Sequence, residues 1–178
     1  MERLPVGVVV VNWNGGALLD ACLDALDPQG ASRLLVVDNG SEPDEVRRLA
    51  NRDGVFVLPL GANRGFAPAS NAGAVDARLK ALPFLAFVNN DAVLEPGYLA
   101  ACVAALEADP GLSAVQGVVL DADGTRVDGL GLGWNRRHEA VQLGHGEEPP
   151  AAGGAPFPVA GVSGTAPVFR RAAFDRAS

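Results

Sequence analysis

The stretch Val8-Val9-Val10-Val11-Asn12-Trp13-Asn14-Gly15 decides the fold, because a run of β-branched residues stops abruptly at polar residues and glycine. A continuous apolar run of this kind, here residues 5–11, is typical of a strand buried on both faces of a parallel sheet. Leucines then recur at helical spacing over residues 18–26, and Pro28 and Gly30 end that segment. The sequence therefore predicts a strand, a turn and a helix in that order.

The same alternation continues along the chain. Further buried strands are predicted at 34–37, 55–58, 84–88 and 114–120. Helices are predicted at 43–51, in the alanine-rich stretch that runs up to Leu82, and around 99–106, where Asp109-Pro110-Gly111 is the stop. Pro68 fits the second of these helices only in its first turn. Strands that alternate with helices at this spacing favour an open, mainly parallel α/β sheet with helices on both faces.

The regular pattern fades after Gly124. Residues 120–125 predict a hairpin turn, and residues 144–158 form a loop rich in glycine, proline and glutamate. Short strands are expected at 159–163 and 166–169, and a helix is expected to begin at Arg170.

Composition argues against a nucleic-acid-binding protein and against a membrane-spanning one. The 178 residues include 14 basic and 21 acidic side chains, and a formal net charge of −7 disfavours binding to a nucleic-acid backbone. The two cysteines, Cys22 and Cys102, lie in helical patterns and are interpreted as buried hydrophobic residues. No apolar run approaches the ~20 residues that a membrane span requires, so a cytoplasmic protein with at most peripheral membrane association is expected.

Polar residues gather where the predicted strands end, which is where ligands bind to open α/β sheets. These segments are Asn12-Trp13-Asn14, Asp38-Asn39-Gly40-Ser41, Asn63-Arg64-Gly65 and Asn89-Asn90-Asp91. The first strand is not followed by the G-x-G-x-x-G spacing of dinucleotide sites, which disfavours a nicotinamide enzyme. A Walker lysine motif is also missing from the sequence. The sequence predicts one cleft that collects all four segments.

Each of these side chains allows two interpretations. Asp38 can accept hydrogen bonds from a base or a ribose, or it forms an Asx-type turn or helix cap. Asp91 offers a carboxylate to a divalent cation that bridges two phosphates, or it is a turn and N-cap residue. Arg64 and the amides around Gly65 can hold phosphate oxygens, or Arg64 is a solvated loop residue. Trp13 can stack on a base or sugar, or it packs in the core or at its rim.

Taken in order, these segments resemble the family 2 glycosyltransferases. The resemblance is carried by Val8-Val-Val-Val-Asn-Trp-Asn-Gly15, Val36-Val-Asp-Asn-Gly-Ser41, Asn63-Arg-Gly-Phe-Ala-Pro-Ala-Ser-Asn71, Val88-Asn-Asn-Asp91 and Val162-Ser-Gly-Thr-Ala-Pro-Val-Phe-Arg-Arg171. It is nearest to the rhamnosyltransferase-like branch and runs from about Val6 to Phe174. The resemblance implies the GT-A fold, which is Rossmann-like, and a nucleoside-diphosphate sugar as donor.

The resemblance also implies roles for individual residues. The implied nucleotide-sugar-binding residues are Asn12, Trp13, Asn14, Asp38, Asn63, Arg64, Gly65, Asn71 and Asn90. Asp91 matches the last acid of the family's D-x-D motif, a Mg or Mn ligand, while Asn89 stands where the family has its first acid. Ser163, Gly164 and Thr165 match a segment near the donor sugar and the acceptor.

The expected activity is a metal-dependent, inverting transfer of a sugar to a glycan or lipid-linked acceptor, as in cell-wall or polysaccharide biosynthesis. Residues 1–120 would be the donor-binding half, and residues 121–178 the looser start of the acceptor side of the same domain. The resemblance implies that the catalytic base comes from a Glu-Asp pair beyond Phe174-Asp175-Arg176, so no residue of this sequence is assigned that role.

Two other functions are compatible with parts of the pattern. The first is a noncatalytic module that binds nucleotide sugars or acts as a scaffold for another chain. The second is a sugar nucleotidyltransferase, although residues 12–16 contain no lysine or arginine for the basic phosphate loop expected there.

Overall fold

A six-stranded sheet forms the centre of the protein, whose computed structural model describes residues 3–151 and 153–177. Its strands are β1 (Leu4–Asn12), β2 (Ala31–Asp38), β3 (Val55–Pro59), β4 (Phe84–Asn89), β5 (Ala114–Val115) and β10 (Val168–Arg170). The order across the sheet is β3-β2-β1-β4-β10-β5. The first four strands pair in parallel, whereas β10 is antiparallel to both β4 and β5. The mainly parallel sheet is confirmed.

Helices cover both faces of this sheet, as predicted. They are α1 (Gly16–Leu26), α2 (Pro43–Ala50), α3 (Phe66–Ala74), α4 (Tyr98–Ala108) and α5 (Arg171–Ala177). Successive side chains of a strand point to opposite faces, so Val8 packs among residues of α1 and α4 while Val9 packs among residues of α3. Complete burial of each such valine contributes about 1.5–3 kcal/mol.

Two small antiparallel sheets lie outside the main one. One pairs β6 (Val119–Leu120) with β7 (Val127–Gly129), and the other pairs β8 (Leu132–Trp134) with β9 (Ala140–Gln142). The predicted hairpin turn at 120–125 is confirmed, because the Asp121 amide donates to the Arg126 carbonyl at 3.0 Å.

The expectation of one strand over 114–120 is wrong, because the chain leaves the main sheet after Val115 and forms β6 separately. The cause is a contact distant in sequence. The Gly117 amide donates to the phenol of Tyr98 at 2.9 Å, and the Tyr98 ring occupies the space beside Gly117. The backbone at Gly117 is thereby directed to α4 instead of continuing beside β10.

Three other boundaries differ from expectation. The helix predicted up to Leu82 ends at Ala74, because Asp76 turns the chain by accepting from the amide and guanidinium of Arg78. The strand expected at 159–163 is reduced to a single bridge between Leu132 and Gly161. The strand expected at 166–169 is β10, which is shifted to Val168–Arg170.

The aromatic rings that line one side of β4 and β10 fix these strands next to each other. Phe87 packs edge-on against Phe169 at 5.8 Å between ring centroids, and Phe174 of α5 lies 5.3 Å from Phe87. Both cysteines are free and buried, as predicted. None of the helices within residues 3–151 and 153–177 combines the length and apolarity needed to cross a membrane.

Candidate active site

The parallel strands β1, β2 and β4 end at one edge of the sheet, and Asn12 connects two of these ends. Its side chain is completely buried. The side-chain Oδ1 of Asn12 accepts from the Gly15 amide at 3.1 Å and from the side-chain amide of Asn90 at 3.1 Å. A residue at the end of β1 is therefore bonded to a residue 78 positions away that follows β4.

The other side of Asn12 connects β1 to the loop after β2. The side-chain Nδ2 of Asn12 donates to Ser41 Oγ at 3.3 Å and to Glu45 Oε1 at 3.0 Å. The backbone amide of Asn14 donates to the same Ser41 hydroxyl at 3.0 Å, and the Asn14 side chain accepts from the Glu42 amide at 2.8 Å. Asn14 has a φ of +51°, a conformation that asparagine tolerates better than most residues. These bonds fix the turn after β1.

Glu45 is a member of this network that sequence reasoning did not single out. Its carboxylate accepts from Asn12, from the Gly16 amide at 3.2 Å and from Arg48 at 3.0 Å. Burial opposes ionisation of Glu45, but the hydrogen bonds from Arg48, Asn12 and Gly16 outweigh it and lower the pKa of the carboxyl. In the sequence, Glu45 is only a carboxylate in the first turn of a polar helix, and such carboxylates are too common to indicate a site.

Asp38 ends β2 and is 2% exposed. Both of its carboxylate oxygens lie 3.4 Å from the Ser41 amide, three residues on, so the Asp38 side chain closes the turn after β2. The helix-cap alternative is wrong, because the residue that caps α2 is Glu42, which makes no side-chain capping bond. A role of Asp38 toward a nucleoside stays a prediction.

The loop before α3 is held by Asn39, which sequence reasoning also missed as a site residue. Its side chain is buried, and it donates to Asn63 Oδ1 at 3.1 Å and accepts from the Arg64 amide at 2.8 Å. Asn63 Oδ1 in turn accepts from the Gly65 amide at 2.9 Å. In the sequence, only its position next to Asp38 at a strand end could have identified Asn39 as a site residue.

Arg64 is exposed, and its guanidinium donates to the Leu60 carbonyl at 3.1 Å. Gly65 precedes α3 with a φ of +85°, which glycine adopts without steric cost. The first amides of α3 follow directly, and such helix starts favour anions. Asn71 lies exposed farther along the same helix.

Asp91 lies in the loop after β4 and is exposed. Its carboxylate makes no side-chain hydrogen bond to another residue within 3–151 and 153–177. The N-cap alternative is wrong, because α4 starts only at Tyr98, after Gly97. Asn89 contacts its neighbours through its backbone, accepting from Cys22 Sγ at 3.4 Å.

The part of the chain that the structure describes contains no group of three or more His, Cys, Asp or Glu residues that could enclose a metal ion. Mg²⁺ often takes only one or two protein carboxylates and completes its shell with water and phosphate oxygens. The exposed Asp91 carboxylate therefore fits such an ion.

The segment from Ser163 to Thr165 lies beside the end of β4. The Thr165 carbonyl accepts from the Asn89 amide at 2.9 Å, and the Ser163 amide donates to the side chain of Gln116. Ser163 is buried and Gly164 is exposed. Asn71, Ser163 and Gly164 line one pocket of about 200 Å³, and half of its other lining residues are phenylalanines.

Trp13 and Cys22 lie near the same edge but differ in solvent exposure. The indole of Trp13 is 57% exposed, so it does not pack in the core. Burial raises the pKa of the Cys22 thiol to about 12, and the nearby Asp91 charge adds to the effect. Cys22 is therefore an inert core residue and not a nucleophile.

Open α/β sheets as a class bind their ligands at the carboxyl ends of their strands, and this sheet has a polar, hydrogen-bonded edge there. The sequence profile described as glycosyl transferase family 2 matches residues 7–177. The chain belongs to this family, as the sequence predicted, while its placement in the rhamnosyltransferase-like branch stays a prediction.

A solved structure has the same fold. The mannosyltransferase PcManGT from Pyrobaculum calidifontis, in complex with GDP-Man and Mn²⁺, is similar with a TM-score of 0.65 and 22% identity. The similarity covers 100% of this chain and 48% of PcManGT. The predicted GT-A fold is confirmed.

A second similar structure is S. aureus TarS 1–349, with a TM-score of 0.48 and 22% identity over 61% of this chain and 33% of that one. The chain thus spans about half of the mannosyltransferase and a third of TarS 1–349. No curated protein sequence matches the chain significantly.

Proposed function

We propose that the chain binds a nucleoside-diphosphate sugar, with Mg²⁺ or Mn²⁺, as the donor side of an inverting glycosyltransferase. The acceptor would be a glycan or a lipid-linked sugar. One observation carries the proposal: the ends of β1, β2 and β4, which are far apart in sequence, meet through the hydrogen bonds of the buried Asn12. The family and the mannosyltransferase that binds GDP-Man and Mn²⁺ support the same choice of ligand.

The nucleoside is assigned to the edge formed by β1 and β2. Asp38 can accept hydrogen bonds there, and the exposed indole of Trp13 offers a flat apolar surface for a base or sugar. Asn12, Asn14 and Asn63 hold the turns around this place through the bonds described above. Asn90, fixed by Asn12, adjoins the same place.

The diphosphate is assigned to the start of α3 and to Asp91. Arg64 and the amides after Gly65 supply positive charge and hydrogen-bond donors, and the net charge of −7 makes these local groups necessary. The cation would be held by Asp91, and when bound it would supply the charge that stabilises the departing diphosphate. Asn71 and the segment Ser163-Gly164-Thr165 are assigned to the sugar side.

Inverting transfer also needs a base that removes the proton of the acceptor hydroxyl. No residue of this chain is assigned that role. The proposal is therefore tested through binding of the donor and not through turnover.

The test is a thermal-shift and calorimetry panel of GDP-mannose, UDP-glucose and dTDP-rhamnose, each with and without MnCl₂. A ligand at a hundredfold excess over its dissociation constant adds about 2.7 kcal/mol to the free energy of unfolding. At least one member of the panel should bind, and Mn²⁺ should strengthen its binding.

Variants connect the binding to the site. Asp38→Ala and Asp91→Ala should each weaken the selected ligand about tenfold, corresponding to the loss of one charged hydrogen bond or metal contact. Asp53→Ala, an exposed acid before β3 at the opposite edge of the sheet, is the matched control and should bind normally. A flat response across the panel would contradict the proposal and favour the scaffold alternative.

A further inference from the structure

The phenol of Tyr98, at the start of α4, connects two segments that neither belong to α4 nor adjoin it in sequence. Its hydroxyl donates to the Ala166 carbonyl at 2.6 Å and accepts from the Gly117 amide at 2.9 Å. A Cβ atom on Gly117 would lie 2.6 Å from Cε2 of the Tyr98 ring, so only glycine fits there.

The segment Ser163-Gly164-Thr165 is held by bonds of this kind and by backbone bonds to β4. Ala166, which follows it, is bonded to Tyr98, and the Ser163 amide is bonded to the side chain of Gln116, the neighbour of Gly117. Two backbone bonds connect the same stretch to β4: the Asn89 amide donates to the Thr165 carbonyl at 2.9 Å, and the Phe87 amide donates to the Pro167 carbonyl at 3.0 Å. Regular strand pairing with β4 begins only at Val168.

We infer that Tyr98 and Gln116 are positioning residues that set the place of Ser163-Gly164-Thr165 relative to Asn90 and Asp91 at the end of β4. The inference rests on the proposed function, in which this segment faces the donor sugar. Neither residue is placed in contact with the ligand, because each acts on the backbone of the segment. Their effect should therefore reach the sugar and leave the nucleoside side, which β1 and β2 build, unchanged.

The bond from Tyr98 persists over the physiological pH range. Burial raises the pKa of the phenol, with a smaller contribution from Cys102, so Tyr98 stays protonated and continues to donate to Ala166. Positioning by this residue is therefore constant with pH.

The first measurement needs no ligand. Amide hydrogen exchange is compared between the unmodified chain, Tyr98→Phe and Gln116→Ala, with Gln116→Glu as the conservative variant that keeps an acceptor for the Ser163 amide. Loss of one buried hydrogen bond should speed exchange over residues 161–167 about fivefold to tenfold in the first two variants. Exchange at residues 12–16 and 38–41 should not change, and Gln116→Glu should exchange like the unmodified chain.

The second measurement separates sugar from nucleotide. GDP with GDP-mannose, and UDP with UDP-glucose, are titrated in parallel. Tyr98→Phe and Gln116→Ala should bind the free diphosphate within twofold of the unmodified chain and its sugar conjugate about fivefold more weakly, and Gln116→Glu should restore the conjugate.

Unchanged exchange over 161–167 in both variants would overturn the inference. Equal weakening of diphosphate and conjugate would also overturn it, because that result indicates general destabilisation. If the unmodified chain binds none of these probes, the proposed function fails, and the exchange pattern alone decides whether Tyr98 and Gln116 position the segment.

Discussion

The carboxyl edge of the sheet has two sides that differ in how their side chains are held. On the bonded side, which consists of Asn12, Asn14, Asp38, Asn39, Ser41, Glu45 and Asn63, polar groups are mostly buried or half-buried and bond to one another. On the open side, which consists of Asn71, Asp91 and Gly164, the residues are exposed. Groups on the bonded side build the site, and Asp38 among them is also assigned to the nucleoside, whereas groups on the open side make few bonds within the protein and are free to meet a ligand.

This difference has an energetic consequence. A buried polar group that loses its partner carries the cost of desolvation without compensation, whereas an exposed group retains water. Substitutions on the bonded side should therefore lower the free energy of unfolding, with Asp38→Ala weakening the ligand as well, and those on the open side should change ligand binding alone. Preformed polar groups also reduce the entropy that binding costs.

The largest effect is expected at Gly40, which joins the bonded side to the loop before α3. Its φ is +86°, and a Cβ atom would lie 2.6 Å from the backbone carbon of Ala62, which cannot move like a side chain. Gly40→Ala should lower the free energy of unfolding by about 3–5 kcal/mol, measured by urea denaturation.

The matched control for Gly40 is Gly61, which has a similar φ of +73° but open space around it. Gly61→Ala should cost only the conformational term, about 1–2 kcal/mol. Equal losses at the two positions would show that the close backbone approach at Gly40 contributes nothing.

The next effect is expected at Asn39, which makes two side-chain bonds to the loop at 63–64. Asn39→Ala should leave the Arg64 amide without its partner and cost about 2–3 kcal/mol in urea denaturation. Asn71→Ala is the control on the open side and should change stability by less than about 0.5 kcal/mol. A similar loss for both asparagines would remove the distinction between the two sides.

The sequence predicted the parallel core of the fold because its signal is local. The β-branched run before Asn12 can be read without knowing its neighbours, and so can the polar residues that end it. Because parallel strands end at the same edge of a sheet, the four segments that follow strand ends could be assigned to one cleft from the sequence.

What the sequence could not supply depends on partners distant in the chain. The division of the predicted strand at Gly117 comes from the ring of Tyr98, and the insertion of β10 between β4 and β5 comes from packing of Phe87 with Phe169. Asn39 and Glu45 were visible as polar residues, but their importance rests on which groups they contact, and sequence spacing does not show that.

A smaller effect, with a pH dependence, is expected at Glu45. Its pKa is lower in the folded protein than its ordinary value of 4.5, so the carboxylate stabilises the fold above that pH and loses this contribution as the pH falls through the folded pKa. Glu45→Gln should be about 1 kcal/mol less stable at pH 7. The difference from the unmodified chain should close on acidification below pH 4.5.

The measurement for Glu45 is urea denaturation at a series of pH values from neutral to acidic. Glu107→Gln, an exposed position of α4, is the control and should differ from the unmodified chain by less than about 0.5 kcal/mol throughout. A loss at Glu45 that is the same at every pH would mean that shape, and not charge, accounts for its contribution.

The smallest effect on stability, and the sharpest test of the comparison, is expected at Asp91. Because its carboxylate is exposed and makes no side-chain hydrogen bond within residues 3–151 and 153–177, Asp91→Ala should change the free energy of unfolding in metal-free buffer by less than about 0.5 kcal/mol. The same variant should lose the improvement that MnCl₂ gives to nucleotide-sugar binding, measured by calorimetry, while Asp53→Ala retains it. A loss of stability comparable to that of Asn39→Ala would move Asp91 to the bonded side, since a residue that builds the fold cannot be removed without unfolding cost.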